Sequence, residues 1–107
     1  MNNLTYSCIY KISSIDAKII DCYVGSTSNF IKRRQQHKNK VVNGYNKYAE
    51  ILDTRLVYTF IRANGGWNNW CMIEIEKCDK NELLKREQYW IDILKPSLNK
   101  IKTIRKV

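Results

Sequence analysis

Residues 4–25 constrain the fold more tightly than any other stretch. From Leu4 to Ile12 the side chains alternate. Leu4, Tyr6, Cys8, Tyr10 and Ile12 fall on one face and Thr5, Ser7, Ile9 and Lys11 on the other, which is the period of a strand. Ser13, Ser14 and Asp16 supply turn chemistry, and Lys18 to Gly25 reads as a second strand with Ile20, Cys22 and Val24 on one face. So short a connection predicts an antiparallel hairpin, because parallel strands need a long crossover. A chain of 107 residues has the size of one domain with one modest core. We therefore treat residues 1–107 as a single domain, too small for a two-domain enzyme with a closed cleft.

The remainder predicts helices around one more strand. Ser26-Thr27-Ser28-Asn29 offers N-caps for a helix from about Phe30 to Asn39. Residues 40–53 read as an ordered loop. Asp53 or Thr54 then caps a second helix whose apolar stripe is Leu56, Val57, Phe60 and Ile61, stopped by Asn64-Gly65-Gly66. Asn69 to Lys77 reads as a third strand with Cys71, Ile73 and Ile75 inward. Asp79 and Glu82 have capping-box spacing for a last helix, which Pro96 terminates after Leu94. The expected fold is α+β, a small three-stranded antiparallel sheet flanked by helices in the order β-β-α-α-β-α.

Charge narrows the class of partner. Nineteen Lys and Arg stand against ten Asp and Glu, a net charge of +9. Residues 1–48 carry +6, residues 49–94 carry −2 and residues 95–107 carry +5. Two basic segments around a near-neutral middle suit a polyanion, nucleic acid ahead of an acidic membrane surface. Lys32, Arg34, Lys38 and Lys40 in the first segment and Lys100 and Lys102 in the last are the candidate backbone contacts. The apolar runs are too short to span a bilayer. Cys8, Cys22, Cys71 and Cys78 are 14, 49 and 7 positions apart, without zinc-knuckle spacing. No charged start and apolar run marks a signal peptide, so mostly buried free thiols in an intracellular, reducing compartment are expected.

Several residues fit this scaffold poorly. Glu87 interrupts the apolar stripe of the last helix, which runs through Leu83, Leu84, Trp90, Ile91 and Leu94, and no cation lies three or four residues from it on that stripe. A carboxylate there reaches solvent or a distant Lys, lies hydrated in a cleft, or holds a metal. Arg33 and His37 are four apart and share a helix face, so that face is either a solvated basic surface or a phosphate contact beside a proton-transfer group. Tyr10 and Tyr23 end the two hairpin strands. Gly25, just after Tyr23, is a turn glycine or permits close approach of a ligand backbone.

Together these residues resemble the GIY-YIG endonuclease superfamily. Cys8-Ile9-Tyr10 stands at its first tripeptide, with Cys8 in place of a glycine, and Tyr23-Val24-Gly25 at its second. Ser26 to Phe30 followed by Arg33 and His37 is similar to its helix signature. Glu87 in Arg86-Glu87-Gln88-Tyr89-Trp90-Ile91 resembles its metal-binding segment, and Asn99 its closing asparagine. Gly65-Gly66-Trp67-Asn68-Asn69-Trp70 is similar to a segment of stand-alone viral and phage-type members. The resemblance implies hydrolysis of DNA phosphodiester bonds by water, dependent on Mg²⁺ or Mn²⁺ held by Glu87. It implies Arg33 at the transition state and Tyr10 as general base, assisted by Tyr23 or His37, its phenol lowered by metal or Arg33. Asn99 would orient Glu87 or the backbone, and Gly25 and Ser26 would lie against the DNA. The expected partners are DNA and a separate targeting protein, with the chain a monomer or transient dimer in a viral, nuclear or cytoplasmic setting. The competing reading is a basic DNA- or RNA-binding module without cleavage, which has no use for Glu87.

Overall fold

A computed structural model of the chain describes residues 6–43, 45–46, 51–52 and 55–99. The hairpin forms as expected, shifted toward the C-terminus. Strand β1 is Cys8–Ser14 and β2 is Cys22–Thr27, paired antiparallel with Tyr10 opposite Gly25 and Ile12 opposite Tyr23. Strand β5, Trp70–Lys77, adds antiparallel to the other side of β1, giving the order β2-β1-β5. A short ribbon, β3 (Tyr45–Asn46) paired with β4 (Ile51–Leu52), occupies part of the stretch expected to be loop. Helices α1 (Phe30–Val42), α2 (Leu56–Ala63) and α3 (Leu83–Leu94) complete an α+β fold with one three-stranded antiparallel sheet and three helices.

Central β1 has both faces covered, so Cys8, Ile9, Tyr10 and Ile12 are all buried. On the Tyr10 and Ile12 face lie α1 and α2, which contribute Val41, Val57, Tyr58 and Ile61 to a core shared with Trp70, Met72 and Leu98. On the Ile9 and Val24 face α3 packs over β2 and β1. A bulge opposite Ile9 and Tyr10 reverses the side-chain phase of β5, so Glu76 pairs with Ile9 on the α3 side while Glu74 pairs with Tyr10. Glu76 there accepts from Arg86 Nη2 at 2.8 Å and from Trp90 Nε1 at 2.7 Å, and these bonds hold its carboxyl below the ordinary value.

Three local expectations are corrected. The inward face of β5 is Trp70 and Met72, whereas Cys71 is exposed, Ile75 half-buried and Ile73 47% exposed. Trp70 and Met72 lie opposite Ser14 and Ile12, and that register turns them toward α2 and the core. Leu84 is 80% exposed, because the packing face of α3 runs through Leu83, Trp90, Ile91 and Leu94 with the half-buried Glu87 inside it. Of the four cysteines, all free, only Cys8 is buried.

Helix boundaries follow local chemistry in part. Asn29 caps α1 by accepting from the Lys32 amide at 3.1 Å. The helix then runs three residues beyond Asn39, because Val41 is a core residue and Arg62 of α2 donates to the Lys40 and Val41 carbonyls. Asn64 ends α2, and Gly65 and Gly66 take positive φ of 104° and 78°. The expected caps Asp53 and Thr54 lie outside the described residues. A 3₁₀ turn, Lys80–Glu82, precedes α3, and Asp79 makes no side-chain cap.

Candidate active site

The Arg33 and His37 stripe points inward. Its i, i+4 continuation is Val41, so this side of α1 faces the sheet while Lys32, Arg34, Lys38 and Lys40 are exposed. His37 is 0% exposed. Its Nε2 is 2.6 Å from the Tyr10 hydroxyl and its Nδ1 is 2.8 Å from the Tyr58 hydroxyl. Tyr10 and Tyr58, 1% and 2% exposed, close the ring off from water. The imidazole pKa is lowered to about 3 by burial first and then by the charges of Arg33 and Arg55. His37 thus sits as a buried hydrogen-bonding group between two hydroxyls, its pKa well below that of the proton-transfer histidine expected near pH 7.

Burial also raises the Tyr10 phenol pKa. Arg33 lowers it through its charge and a hydrogen bond, as expected in direction, but desolvation outweighs both. Half-buried Tyr23 shows the same contest: burial raises its pKa, Arg33 lowers it through charge and a hydrogen bond, and the Glu87 charge raises it. Arg33 thus sets its charge beside both tyrosines, and its Nη1 donates to Gln36 at 3.0 Å. The Tyr10 and Tyr23 ring centroids are 6.4 Å apart without being cross-strand partners.

Gly25 explains how Tyr10 fits. A Cβ on this residue would fall on the Tyr10 hydroxyl oxygen and Cζ. The close approach that requires glycine is made by the protein's own phenol. Gly25 itself is buried.

Glu87 projects from α3 toward β2. The Ser26 hydroxyl donates to Glu87 Oε1 at 2.6 Å, and Glu87 has no other hydrogen bond among the described residues. Its second oxygen is thus available in a half-buried setting. Asn99, in the turn after α3, reaches back across 75 positions. Its Oδ1 accepts from the Val24 amide and its Nδ2 donates to the Val24 carbonyl, both at 2.8 Å. It ties the turn after α3 to the backbone between Tyr23 and Gly25 and makes no hydrogen bond to Glu87. Lys100 and Lys102 lie outside the described residues.

A cleft of about 570 Å³ opens beside Arg33, lined by Ser28, Asn29, Lys32 and Gln36 of the α1 end and by Tyr6 and Lys80 opposite. A second cavity of about 260 Å³ lies between β2 and α2, bounded by Tyr23, Arg55, Tyr58 and Asn99. Arg55 lies 5.0 Å from the centre of the Tyr58 ring. Sequence reasoning missed both Arg55 and Tyr58. Tyr58 could have been read from its place between Val57 and Ile61 on α2, but nothing local tied it to His37.

Two solved structures share this architecture. One is the catalytic domain of the homing endonuclease I-TevI, 22% identical, matched over 92% of this chain and 99% of that one with a TM-score of 0.68. The other is a mutant form of the catalytic domain of the intron endonuclease I-TevI, 21% identical, over 95% and 97% of the two chains with a TM-score of 0.68. The shared fold is that of an endonuclease catalytic domain. Within that class, the family model described as the GIY-YIG catalytic domain matches residues 6–102, and the chain belongs to the GIY-YIG family. It is an endonuclease. Comparison with curated protein sequences returned no match. Among the described residues no helix is long and apolar enough to cross a membrane.

Proposed function

We propose that the protein hydrolyses DNA phosphodiester bonds at the site between Arg33, Tyr23 and Glu87, with a divalent cation held by Glu87. The observation that carries this reading is the half-buried carboxylate with one oxygen open, in the same electrostatic neighbourhood as Arg33 and Tyr23. Among the described residues no group of three or more His, Cys, Asp or Glu could form a closed metal site. One carboxylate instead suits a mostly hydrated Mg²⁺ or Mn²⁺ completed by phosphate oxygen. Such an ion would supply charge for the phosphoryl group and the departing 3′ oxygen, and would oppose the upward pull of Glu87 on the Tyr23 phenol.

The chain's own groups take the remaining roles. Arg33 neutralises charge on the pentacovalent phosphorus, preorganised by its hydrogen bond to Gln36 and by its place beside the Tyr10 and Tyr23 phenols. Water is the nucleophile, and the proton acceptor is assigned to Tyr23. Tyr10 heads the list by family analogy, but it is sealed from solvent, while Tyr23 is half-buried and feels the Glu87 charge. Tyr10 and His37 position Arg33. Asn99 holds the strand that carries Tyr23, and Ser26 holds Glu87. Lys32 and Lys80 track the DNA backbone through the cleft beside Arg33.

The test is relaxation of supercoiled plasmid with Mg²⁺ or Mn²⁺, against EDTA and Glu87→Ala controls. Nicking should vanish in both controls while Glu87→Ala binds DNA as well as the parent or more tightly, since a negative charge is removed. Nicking that persists in both controls refutes the metal-dependent mechanism. Binding without nicking under any condition establishes a binding module instead.

A further inference from the structure

Nothing so far gives Tyr58 a task, although it is buried with its hydroxyl 2.8 Å from His37 Nδ1. The hydrogen-bond inventory of this cluster assigns one. A neutral imidazole has one donor and one acceptor nitrogen. Arg33 can only donate, and its positive charge acts directly on the Tyr10 phenol, which favours the orientation with the oxygen lone pairs toward Arg33 and the hydroxyl hydrogen away from it. The hydrogen of the buried Tyr10 hydroxyl then needs an acceptor, and His37 Nε2 lies 2.6 Å away. With Nε2 accepting, the imidazole proton resides on Nδ1, and Tyr58 is the group that receives it.

We propose that Tyr58 is a positioning residue that fixes the tautomer of His37. By accepting from Nδ1–H, its hydroxyl keeps Nε2 free for Tyr10, and Tyr10 in turn keeps its oxygen turned to Arg33. In the opposite tautomer Nε2–H would compete with Arg33 for the Tyr10 oxygen, and the Tyr10 hydrogen would lose its acceptor. The chain Tyr58, His37, Tyr10, Arg33 thus joins α2, α1 and β1 behind the reacting centre. Its link to rate rests on Arg33 acting in catalysis as proposed above, whereas the tautomer itself does not.

His37 is the only histidine in the sequence, so its ring nitrogens can be read without assignment in untagged protein. Two-bond ¹H–¹⁵N correlation at pH 7, without DNA or metal, should show Nδ1 protonated and Nε2 unprotonated. In Tyr58→Phe, which retains the ring, the population should move toward Nε2–H. Plasmid nicking by Tyr58→Phe should fall roughly 10-fold or more in kcat with KM for DNA unchanged, as for other groups that orient a site residue. A packing role alone would move neither the tautomer nor kcat against KM. Protonated Nε2 in the parent protein overturns the assignment without any variant. An unaltered tautomer in Tyr58→Phe overturns the role of its hydroxyl, and an altered tautomer with unaltered kcat overturns the coupling to Arg33. The nitrogen shifts remain decisive even if the parent protein cuts no DNA.

Discussion

Replacing His37 by Gln should remove most of the protein's sensitivity to mild acid. In the folded chain the imidazole pKa is about 3 against an ordinary value of 6.5, with burial as the largest cause. A group whose pKa is depressed by folding contributes stability above the unfolded value, and that contribution is lost as pH falls toward the folded value. The window therefore runs from about pH 6.5 down to about pH 3. Within it the unfolded state binds one proton more than the folded state, and each pH unit removes about 1.4 kcal/mol. Between pH 7 and pH 5 the unfolding free energy should fall by about 2 kcal/mol, a large share of a small domain's stability. Glu76, held low by Arg86 and Trp90, enters mainly below pH 5 and does not confuse the comparison. The assay is urea unfolding of metal-free protein at pH 7, 6 and 5 at constant ionic strength, alongside His37→Gln. Glutamine keeps a hydrogen-bonding group and does not titrate, so the variant should be less stable at pH 7 yet nearly flat across the range. A parent protein that is equally flat, or a variant with the same acid slope, would show that His37 accepts a proton in the folded state.

Other expectations test the supports of the site. Gly25→Ala places a methyl on the Tyr10 phenol, which is buried and cannot retreat, and should destabilise by about 1–3 kcal/mol in denaturant unfolding. Asn99→Ala removes two hydrogen bonds to Val24 and should lower stability by about 1–3 kcal/mol. Asn99→Asp should be worse, because it sets a carboxylate against the Val24 carbonyl. Lys32→Ala should reduce the salt dependence of duplex binding by about one unit of slope without changing kcat at saturating DNA, as measured by anisotropy over a salt series.

Much of the fold was written locally. Alternation and turn residues defined the hairpin, Asn29 the start of α1, and Asn64-Gly65-Gly66 the end of α2. Each depends on contacts within a few residues, which a linear pattern records. The phase of β5 was not legible, because a bulge against β1 and the register of Trp70 and Met72 decide it. Nor was the exposure of Leu84, which shares its helical periodicity with residues that do pack.

The same division holds at the site. Spacing by itself determined that Arg33 and His37 share a face of α1 and that Glu87 breaks an apolar stripe, since helix geometry carries both facts. Only the tertiary structure decided what covers that face. Tyr58 arrives on α2 from 21 positions away and, with Tyr10, buries a histidine that reads as a proton carrier, lowering its pKa. Tyr10, which reads as the leading base, is sealed beneath Gly25, while Tyr23 keeps its exposed edge. Asn99 finds Val24 across 75 positions. Residue type and period select the chemistry available to the chain. Desolvation and hydrogen-bond partners select which of that chemistry is used, and both come from segments distant in sequence.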